Sequence, residues 1–129
     1  MFLNWQVKMK KIYQNPPTNT TTKTNIMKKL QTNLTQFVKE RNWEQFHSPK
    51  NLVMALSVEA AELVEIFQWM EGPESRTVNA ATREHVEEEI GDVMIYLTML
   101  ASKFDLDPIE AAHKKMVLNA KKYPANPSS

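Results

Sequence analysis

The chain has 129 residues, 42% of them hydrophobic, which is the size and composition of one ordinary domain with a core. Its 16 lysine and arginine residues nearly balance its 15 aspartate and glutamate residues, so the net charge favours neither a nucleic acid polymer nor an anionic membrane as partner. Because cysteine is absent, disulfides, thiolate zinc sites and cysteine nucleophiles are excluded, and any metal must bind oxygen or imidazole.

The first segment, residues 1–25, is predicted to be a disordered tail, because residues 14–25 are polar and of low complexity. No apolar run approaches the roughly 20 residues that cross a bilayer, and the segment is too polar for a secretory signal, so we expect a soluble, cytoplasmic protein. Helical periodicity begins beside Met27, and we hypothesise that translation starts there. Peptides from residues 1–26 in a mass spectrum of the endogenous protein would refute this hypothesis.

Two helices are predicted in the next part of the chain. Over residues 26–41, apolar residues recur at three- and four-residue intervals, which is typical of an amphipathic helix. After a short aromatic link, Ser48 can cap a second helix whose first residue is Pro49. This helix should end near Met70, because a Gly-Pro pair follows and cannot continue it.

Two further helices are predicted after a loop at residues 71–81. Thr82 can cap a long third helix, which carries apolar residues at helical spacing as far as Phe104. Asp107, followed by a proline, has the pattern of a helix cap and predicts a fourth helix that runs to about Lys121.

The predicted architecture is therefore all-α. No segment shows the alternation of polar and apolar residues that a half-buried strand requires. We predict one domain of four helices over residues 26–124 and a C-terminal tail over residues 125–129.

Acidic residues occupy unexpected positions on the second and third helices. Each residue of a helix advances about 100°, so Glu59 lies about 20° from Leu52, the reference residue of the apolar stripe. Glu62 lies about 80° from the same reference, on the shoulder of the stripe. On the third helix, Glu89 and Asp92 lie about 60° and 120° from the reference of its stripe. A buried ionised carboxylate is costly, so such residues are protonated, paired or bound to metal.

If the second and third helices pack antiparallel, these carboxylates meet in one small volume, and we expect nothing cationic within a turn on either helix. An all-oxygen set of ligands suits Mg²⁺ or Mn²⁺ better than zinc, and such a site can hold a triphosphate. The alternative is that the glutamates lie on a solvated face and pair with lysines, as most helical glutamates do.

Four motifs follow one another between residues 37 and 124. They are Trp43-Glu-Gln-Phe-His47, Ser57-Val-Glu59-Ala-Ala-Glu62-Leu with Phe67-Gln-Trp69, Glu88-Glu89-Ile-Gly-Asp92-Val-Met-Ile-Tyr96-Leu, and Lys115-Met-Val-Leu-Asn119-Ala-Lys-Lys122-Tyr123-Pro. In this order and spacing they resemble the MazG-like branch of the all-α nucleoside triphosphate pyrophosphohydrolases, and within it the dCTP pyrophosphatase type. The resemblance implies a four-helix MazG-like bundle that assembles through its helices as a homodimer or homotetramer.

The resemblance also implies a reaction and its residues. A metal-activated water would break a phosphoanhydride of a nucleoside triphosphate, dCTP or a related pyrimidine deoxynucleotide, and pyrophosphate would leave. The catalytic Mg²⁺ ligands fall on the quartet that helical geometry singles out, Glu59, Glu62, Glu89 and Asp92, with Mn²⁺ as a possible substitute. The residues that enclose base and sugar fall on Trp43, His47, Trp69 and Tyr96. Contacts to phosphate fall on Lys115, Asn119 and Lys122, although the helix dipole alone also favours lysine there.

Three alternatives remain open at this point. The substrate could be dUTP or a modified nucleotide on the same scaffold. The pattern Glu110-x-x-His113 imitates a di-iron motif, but it occurs once instead of twice. The protein could also be a non-catalytic helical dimer, in which case Glu62→Gln and Asp92→Asn would leave stability unchanged or improved, with no effect of Mg²⁺.

Overall fold

The computed structural model describes residues 20–126, and every regular element in this range is helical. The elements are α1 (Thr20–Glu40), a 3₁₀ turn (Glu44–Phe46), α2 (Pro49–Phe67), α3 (Gly72–Ser75), α4 (Ala80–Ser102) and α5 (Pro108–Lys122). The predicted all-α class is confirmed. No helix in this range is long and apolar enough to span a membrane.

Two of the predicted helix starts carry the expected caps. The side chain of Ser48 accepts a hydrogen bond from the backbone N–H of Asn51 at 3.2 Å, and proline stands in the first turn of α2. The carboxylate of Asp107 accepts hydrogen bonds from the backbone N–H groups of Ile109, at 2.7 Å, and Glu110, at 3.2 Å. These bonds satisfy amide groups that have no partner within the first turn of a helix.

The predicted cap of the long helix was wrong by three residues. Asn79 caps α4, and its side-chain oxygen accepts a hydrogen bond from the backbone N–H of Thr82 at 2.8 Å. Asparagine is at least as good a cap as threonine, and the periodic pattern does not fix the position of the cap within a turn.

The predicted loop at residues 71–81 contains a one-turn helix, α3. Glu71 and Glu74 form a capping box, in which each side chain bonds the backbone N–H at the other position. The intervening Gly-Pro pair therefore lies in the first turn of α3, while α2 ends earlier, at Phe67. The prediction of four helices missed this turn because a capping box followed by no apolar stripe gives no periodic signal.

The first helix begins at Thr20, six residues before the start predicted from periodicity. Apolar periodicity marks only the part of a helix that packs, whereas backbone hydrogen bonds can continue into polar residues. The rest of the predicted N-terminal tail, residues 1–19, and residues 127–129 of the C-terminal tail lie outside the described residues.

The ends of α1 and α4 are turned by residues with positive φ. Asn42 has φ 56° and Asp105 has φ 53°. At the end of α1, the backbone N–H of Trp43 donates a hydrogen bond to the carbonyl oxygen of Val38 at 3.1 Å. The backbone N–H of Asn42 donates one to the carbonyl oxygen of Lys39, also at 3.1 Å. This is the Schellman pattern, with asparagine in the left-handed position that glycine usually takes. The motif fixes the direction in which the chain leaves α1, and with it the position of Trp43.

The core lies where α2 packs along α4 and where α1 crosses α4, while α5 has only limited contact with α4. The buried apolar residues are Met27, Leu34, Val38 and Leu52. On α4 the buried residues are Glu89 and Thr98 instead, and the expected apolar stripe is partly open, with Leu97 38% exposed. Phe104, which the stripe was predicted to reach, follows the end of α4 and is 58% exposed. The pattern predicts which face of a helix is apolar, but a single chain does not cover all of that face on α4.

Candidate functional site

Carboxylates from α2 and α4 meet between the two helices. One carboxylate oxygen from each of Glu59, Glu89 and Asp92 lies within 4.8 Å of the other two. Glu62 adjoins this acidic cluster, since its carboxyl group is among the causes that raise the pKa of both Glu59 and Glu89. The four acidic residues that helical geometry selects therefore lie together, three of them in the tighter set.

The cluster alters the ionisation of its own members. The hydrogen bond with Glu62, together with burial and the charges of Glu62, Asp92 and Glu89, raises the pKa of Glu59 to about 7. Burial is the first cause that raises the pKa of Glu89, followed by its hydrogen bond with Glu62 and the neighbouring negative charges. Close carboxylates therefore share protons unless a cation replaces them.

The donor set fits a hard divalent cation. Glu89 is a nearly buried residue, 9% exposed, and its Oε2 atom is buried with no hydrogen-bond partner among the described residues. A buried oxygen without a partner is unfavourable, and a cation held by several carboxylates satisfies it. Oxygen-only ligands of this kind suit Mg²⁺ or Mn²⁺.

One basic side chain near the cluster was missed by the sequence prediction. His85 lies one turn before Glu89 on α4, and its Nε2 atom is 3.3 Å from Oε1 of Glu89. The sequence prediction did not take this basic side chain into account. The spacing of four residues between the two side chains was the available signal, since residues at that spacing are neighbours on a helix.

The raised pKa of Glu59 gives a testable dependence of stability on pH. The measured quantity is the melting temperature of Glu59→Gln minus that of the unmodified protein, both without divalent cations. We expect this difference to increase as pH rises from about 4.5 to about 7. In this interval folded Glu59 is protonated while unfolded Glu59 is ionised, so the folded state binds more protons and each increase in pH favours unfolding. The glutamine variant lacks this loss of stability.

Calorimetry in buffers that contain a chelator checks the prediction. Glu65→Gln, at an exposed position on the same helix, is the matched control and should show no such divergence. A melting-temperature difference for Glu59→Gln that stays constant over this pH interval would contradict the assignment.

A cavity of about 370 Å³ adjoins the acidic cluster. Three of the predicted substrate residues line it, Trp43, His47 and Tyr96, and so does Asp92 of the cluster. Asp92 belongs both to the acidic cluster and to the wall of the cavity, so the cavity borders the cluster at this residue.

The aromatic wall of the cavity is held by contacts from α1. The ring of Trp43 meets the ring of Phe37 edge to face at 5.8 Å and that of His47 at 6.4 Å. The guanidinium carbon of Arg41 lies 3.5 Å from the centre of the Phe37 ring, and Arg41 donates a hydrogen bond to the carbonyl of Phe37 at 3.0 Å. Edge-to-face and cation–π contacts of this kind fix ring orientations. Burial, followed by the charge of Lys103, lowers the pKa of His47.

Residues of α1 that line the cavity were not assigned from the sequence. They are Asn33, Leu34, Phe37 and Val38. Asn33 and Phe37 are four residues apart, so they share one face of α1. This spacing was visible in the sequence, but nothing in it indicated that this face of α1 meets α4.

Four predicted substrate residues are not part of the cavity wall. Trp69 follows the end of α2 and is 89% exposed. Lys115, Asn119 and Lys122 are exposed on α5, and the cavity wall does not include them. Within the described chain the structure therefore does not bring these residues to the cavity.

The possible di-iron pattern receives no support from the geometry. Oε2 of Glu110 lies 3.8 Å from Nζ of Lys114, which follows one turn later on α5. In the part of the chain that the structure describes, the set of converging metal-ligand atoms contains neither Glu110 nor His113.

Comparisons with known proteins agree with this geometry. The model of the MazG-like family matches residues 54–129. The dCTP pyrophosphatase 1 proteins of Homo sapiens and Bos taurus are 43% and 41% identical to the chain over 93 residues, which is 70% of this chain and 55% of each of them. The chain thus spans about half the length of these relatives. A solved pyrophosphatase from Archaeoglobus fulgidus is similar over 77% of this chain and 93% of its own, with 44% identity and a TM-score of 0.72.

Proposed function

This chain belongs to the MazG-like family, and we propose that it hydrolyses a nucleoside triphosphate to the monophosphate and pyrophosphate. The observation that carries the proposal is the position of Asp92, which joins the acidic cluster to a cavity walled by Trp43, His47 and Tyr96. A cation site beside an aromatic pocket suits a molecule with phosphates at one end and a base at the other. The names of the relatives favour dCTP or a related pyrimidine deoxynucleotide as substrate, with dUTP or a modified nucleotide as the alternative.

The proposed metal ligands are Glu59, Glu62, Glu89 and Asp92, with Mg²⁺ as the cation and Mn²⁺ as a substitute. When bound, the cation neutralises phosphate charge and lowers the pKa of a water molecule for attack on phosphorus. The chain contributes a converging set of oxygens that repel one another without a cation, and Glu89 contributes a buried oxygen with no competing partner among the described residues. Binding of the triphosphate therefore depends on the same carboxylates that hold the metal.

In the cavity, the proposed role of Trp43 is to stack on the base, with His47 and Tyr96 enclosing base and sugar. Trp43→Ala is expected to raise KM about 5- to 150-fold, because stacking on an aromatic ring is worth about 1–3 kcal/mol. The metal ligands are unchanged, so kcat should change much less. Steady-state kinetics at saturating Mg²⁺ measures this.

Phe46→Ala is the matched control for Trp43→Ala. Phe46 is an aromatic residue of the same linker, 58% exposed, and it is not part of the cavity wall. Equal KM values for the two alanine variants would argue against a stacking role for Trp43.

We further propose that the working form is a homodimer or homotetramer. Large apolar side chains remain open on several helices, among them Val64 at 59%, Ile90 at 55% and Leu118 at 57% exposure. Exposure on this scale is typical of surfaces that a partner covers. Assembly would also have to bring the remaining predicted substrate residues to a cavity before they could contact substrate. These residues are Trp69, Lys115, Asn119 and Lys122. Light scattering coupled to size exclusion should give at least twice the chain mass, and a monomer would contradict this part of the proposal.

The reaction is tested with a panel of nucleotides. The purified chain is incubated with each deoxynucleoside triphosphate and Mg²⁺, and the products are separated by ion exchange. We expect monophosphate and pyrophosphate, with the highest kcat/KM for a pyrimidine substrate. Release of orthophosphate would overturn the assigned reaction, and a preference for a purine nucleotide would overturn only the assigned substrate class. A preference for dUTP or a modified base would select the alternative substrate over dCTP.

A further inference from the structure

The two oxygens of the Glu89 carboxylate have different surroundings. Oε2 is buried and has no hydrogen-bond partner among the described residues, whereas Oε1 lies 3.3 Å from Nε2 of His85. The His85 side chain is 56% exposed, while that of Glu89 is 11% exposed. His85 therefore lies on the solvent side of a carboxylate whose other oxygen is enclosed.

His85 is not itself one of the converging ligands. The three residues whose oxygens lie within 4.8 Å of one another are Glu59, Glu89 and Asp92, and no atom of His85 belongs to this set. His85 therefore contacts the acidic cluster through Glu89 and is not part of the converging set. This is the arrangement of an outer partner that holds a ligand, not of a further ligand.

We propose that His85 is a positioning residue for the metal site, in which the polar contact of 3.3 Å between its Nε2 atom and Oε1 of Glu89 holds that oxygen and leaves Oε2 for the cation. The inference rests on the proposed function, because it requires that the acidic cluster binds a divalent cation. Carboxylate oxygens of Glu59 and Asp92 lie within 4.8 Å of one from Glu89, and a polar side chain on the outer side of Glu89 opposes their repulsion without occupying Oε2. A ligand restrained before the cation arrives loses less conformational freedom on binding.

The effect of the polar contact can be separated from the effect of side-chain volume by a matched pair of variants. His85→Gln retains an N–H donor of similar reach, whereas His85→Leu retains much of the volume and has no donor. Because His85 is largely exposed, both variants leave the core intact, and circular dichroism verifies this. His113→Leu makes the same apolar change on α5, outside the acidic cluster.

The measurement is Mn²⁺ binding to the full chain without nucleotide, followed by the electron paramagnetic resonance signal of free Mn²⁺. Loss of an outer partner commonly weakens metal affinity by about 10- to 100-fold, and we expect a loss in this range for His85→Leu. His85→Gln and His113→Leu should bind Mn²⁺ nearly as tightly as the unmodified protein. In assays, the Mg²⁺ concentration for half-maximal rate should rise for His85→Leu, while KM for the nucleotide at saturating Mg²⁺ stays constant.

The outcomes separate this inference from the function on which it rests. If the unmodified chain binds no Mn²⁺, the proposed metal site fails and the role of His85 fails with it. If the unmodified chain binds Mn²⁺ but His85→Leu binds it equally well, only the role of His85 is overturned. Equal losses in His85→Leu and His85→Gln would also overturn it, because the hydrogen-bond donor would then be irrelevant.

Discussion

Asp92→Asn is expected to lower kcat by at least about 10²-fold, because it removes a proposed negative ligand from a metal site that would supply several kcal/mol of transition-state stabilisation. Asp92 is exposed and lies on the surface of α4, so the substitution does not disturb the core. The loss should therefore appear in the rate and not in the amount of folded protein. Pyrophosphate release measured under saturating Mg²⁺ and nucleotide gives kcat directly.

The control for this variant lies on the same surface of α4. Glu87 lines the same open acidic groove as Asp92, but it is not one of the converging ligands. Glu87→Gln removes one negative charge nearby and should leave kcat within a few-fold of the unmodified protein, as expected for a solvent-screened charge. A similar fall in both variants would mean that general surface charge, not ligation, supports the reaction.

Mg²⁺ is expected to raise the melting temperature of the protein, and loss of a ligand is expected to abolish the rise. A cation present at 100 times its Kd stabilises the folded state by about 2.7 kcal/mol, which corresponds to roughly 10 °C for a domain of this size. Relief of repulsion among Glu59, Glu62 and Glu89 is part of this gain. Differential scanning fluorimetry with increasing MgCl₂ measures it.

The ligand variants decide between an enzyme and a non-catalytic dimer. Without Mg²⁺, Glu62→Gln and Asp92→Asn should be as stable as the unmodified protein or more stable, because each removes a charge from a crowded site. With Mg²⁺ they should gain little. If the unmodified protein itself showed no shift with Mg²⁺, the carboxylates would serve only to set the helix register.

Helical geometry predicted which acidic side chains lie together, and their role as metal ligands remains a proposal. The positions of Glu59 and Glu62 on α2, and of Glu89 and Asp92 on α4, follow from the fixed rotation per residue of an α-helix. Once the two helices pack together, these positions determine which side chains meet, and the structure places them in one cluster. This prediction required no knowledge of loops.

The burial of α4 was predicted less well. Leu97 lies on the apolar stripe of α4, yet it remains 38% exposed in the single chain. Phe104 was predicted to extend that stripe, but it follows the end of α4 at Ser102 and is 58% exposed. A pattern of apolar residues records every surface that the helix covers, including surfaces against other chains, and does not separate one from another. The same reasoning applies to Trp69, for which the family resemblance implied a substrate contact and which is 89% exposed in the single chain.

The predictions of individual caps and contacts failed for a different reason. Asn79 and Thr82 are both competent caps, and the choice between them depends on a backbone conformation that periodicity does not determine. The spacing of four residues between His85 and Glu89 indicated that they are neighbours on the helix, but a histidine among several glutamates has more than one possible partner. Nor did the sequence show that α1 would place Asn33 and Phe37 in the cavity wall.

Anomalous scattering from a crystal of the full chain grown with Mn²⁺ tests the metal site by direct observation. A peak at the manganese absorption edge is expected within bonding distance of oxygens from Glu59, Glu89 and Asp92, with Glu62 beside them. Data from an Asp92→Asn crystal should show that peak weakened or lost. Manganese bound at another place on the molecule, with the four carboxylates turned separately into solvent, would contradict the proposed metal site and the reaction that depends on it.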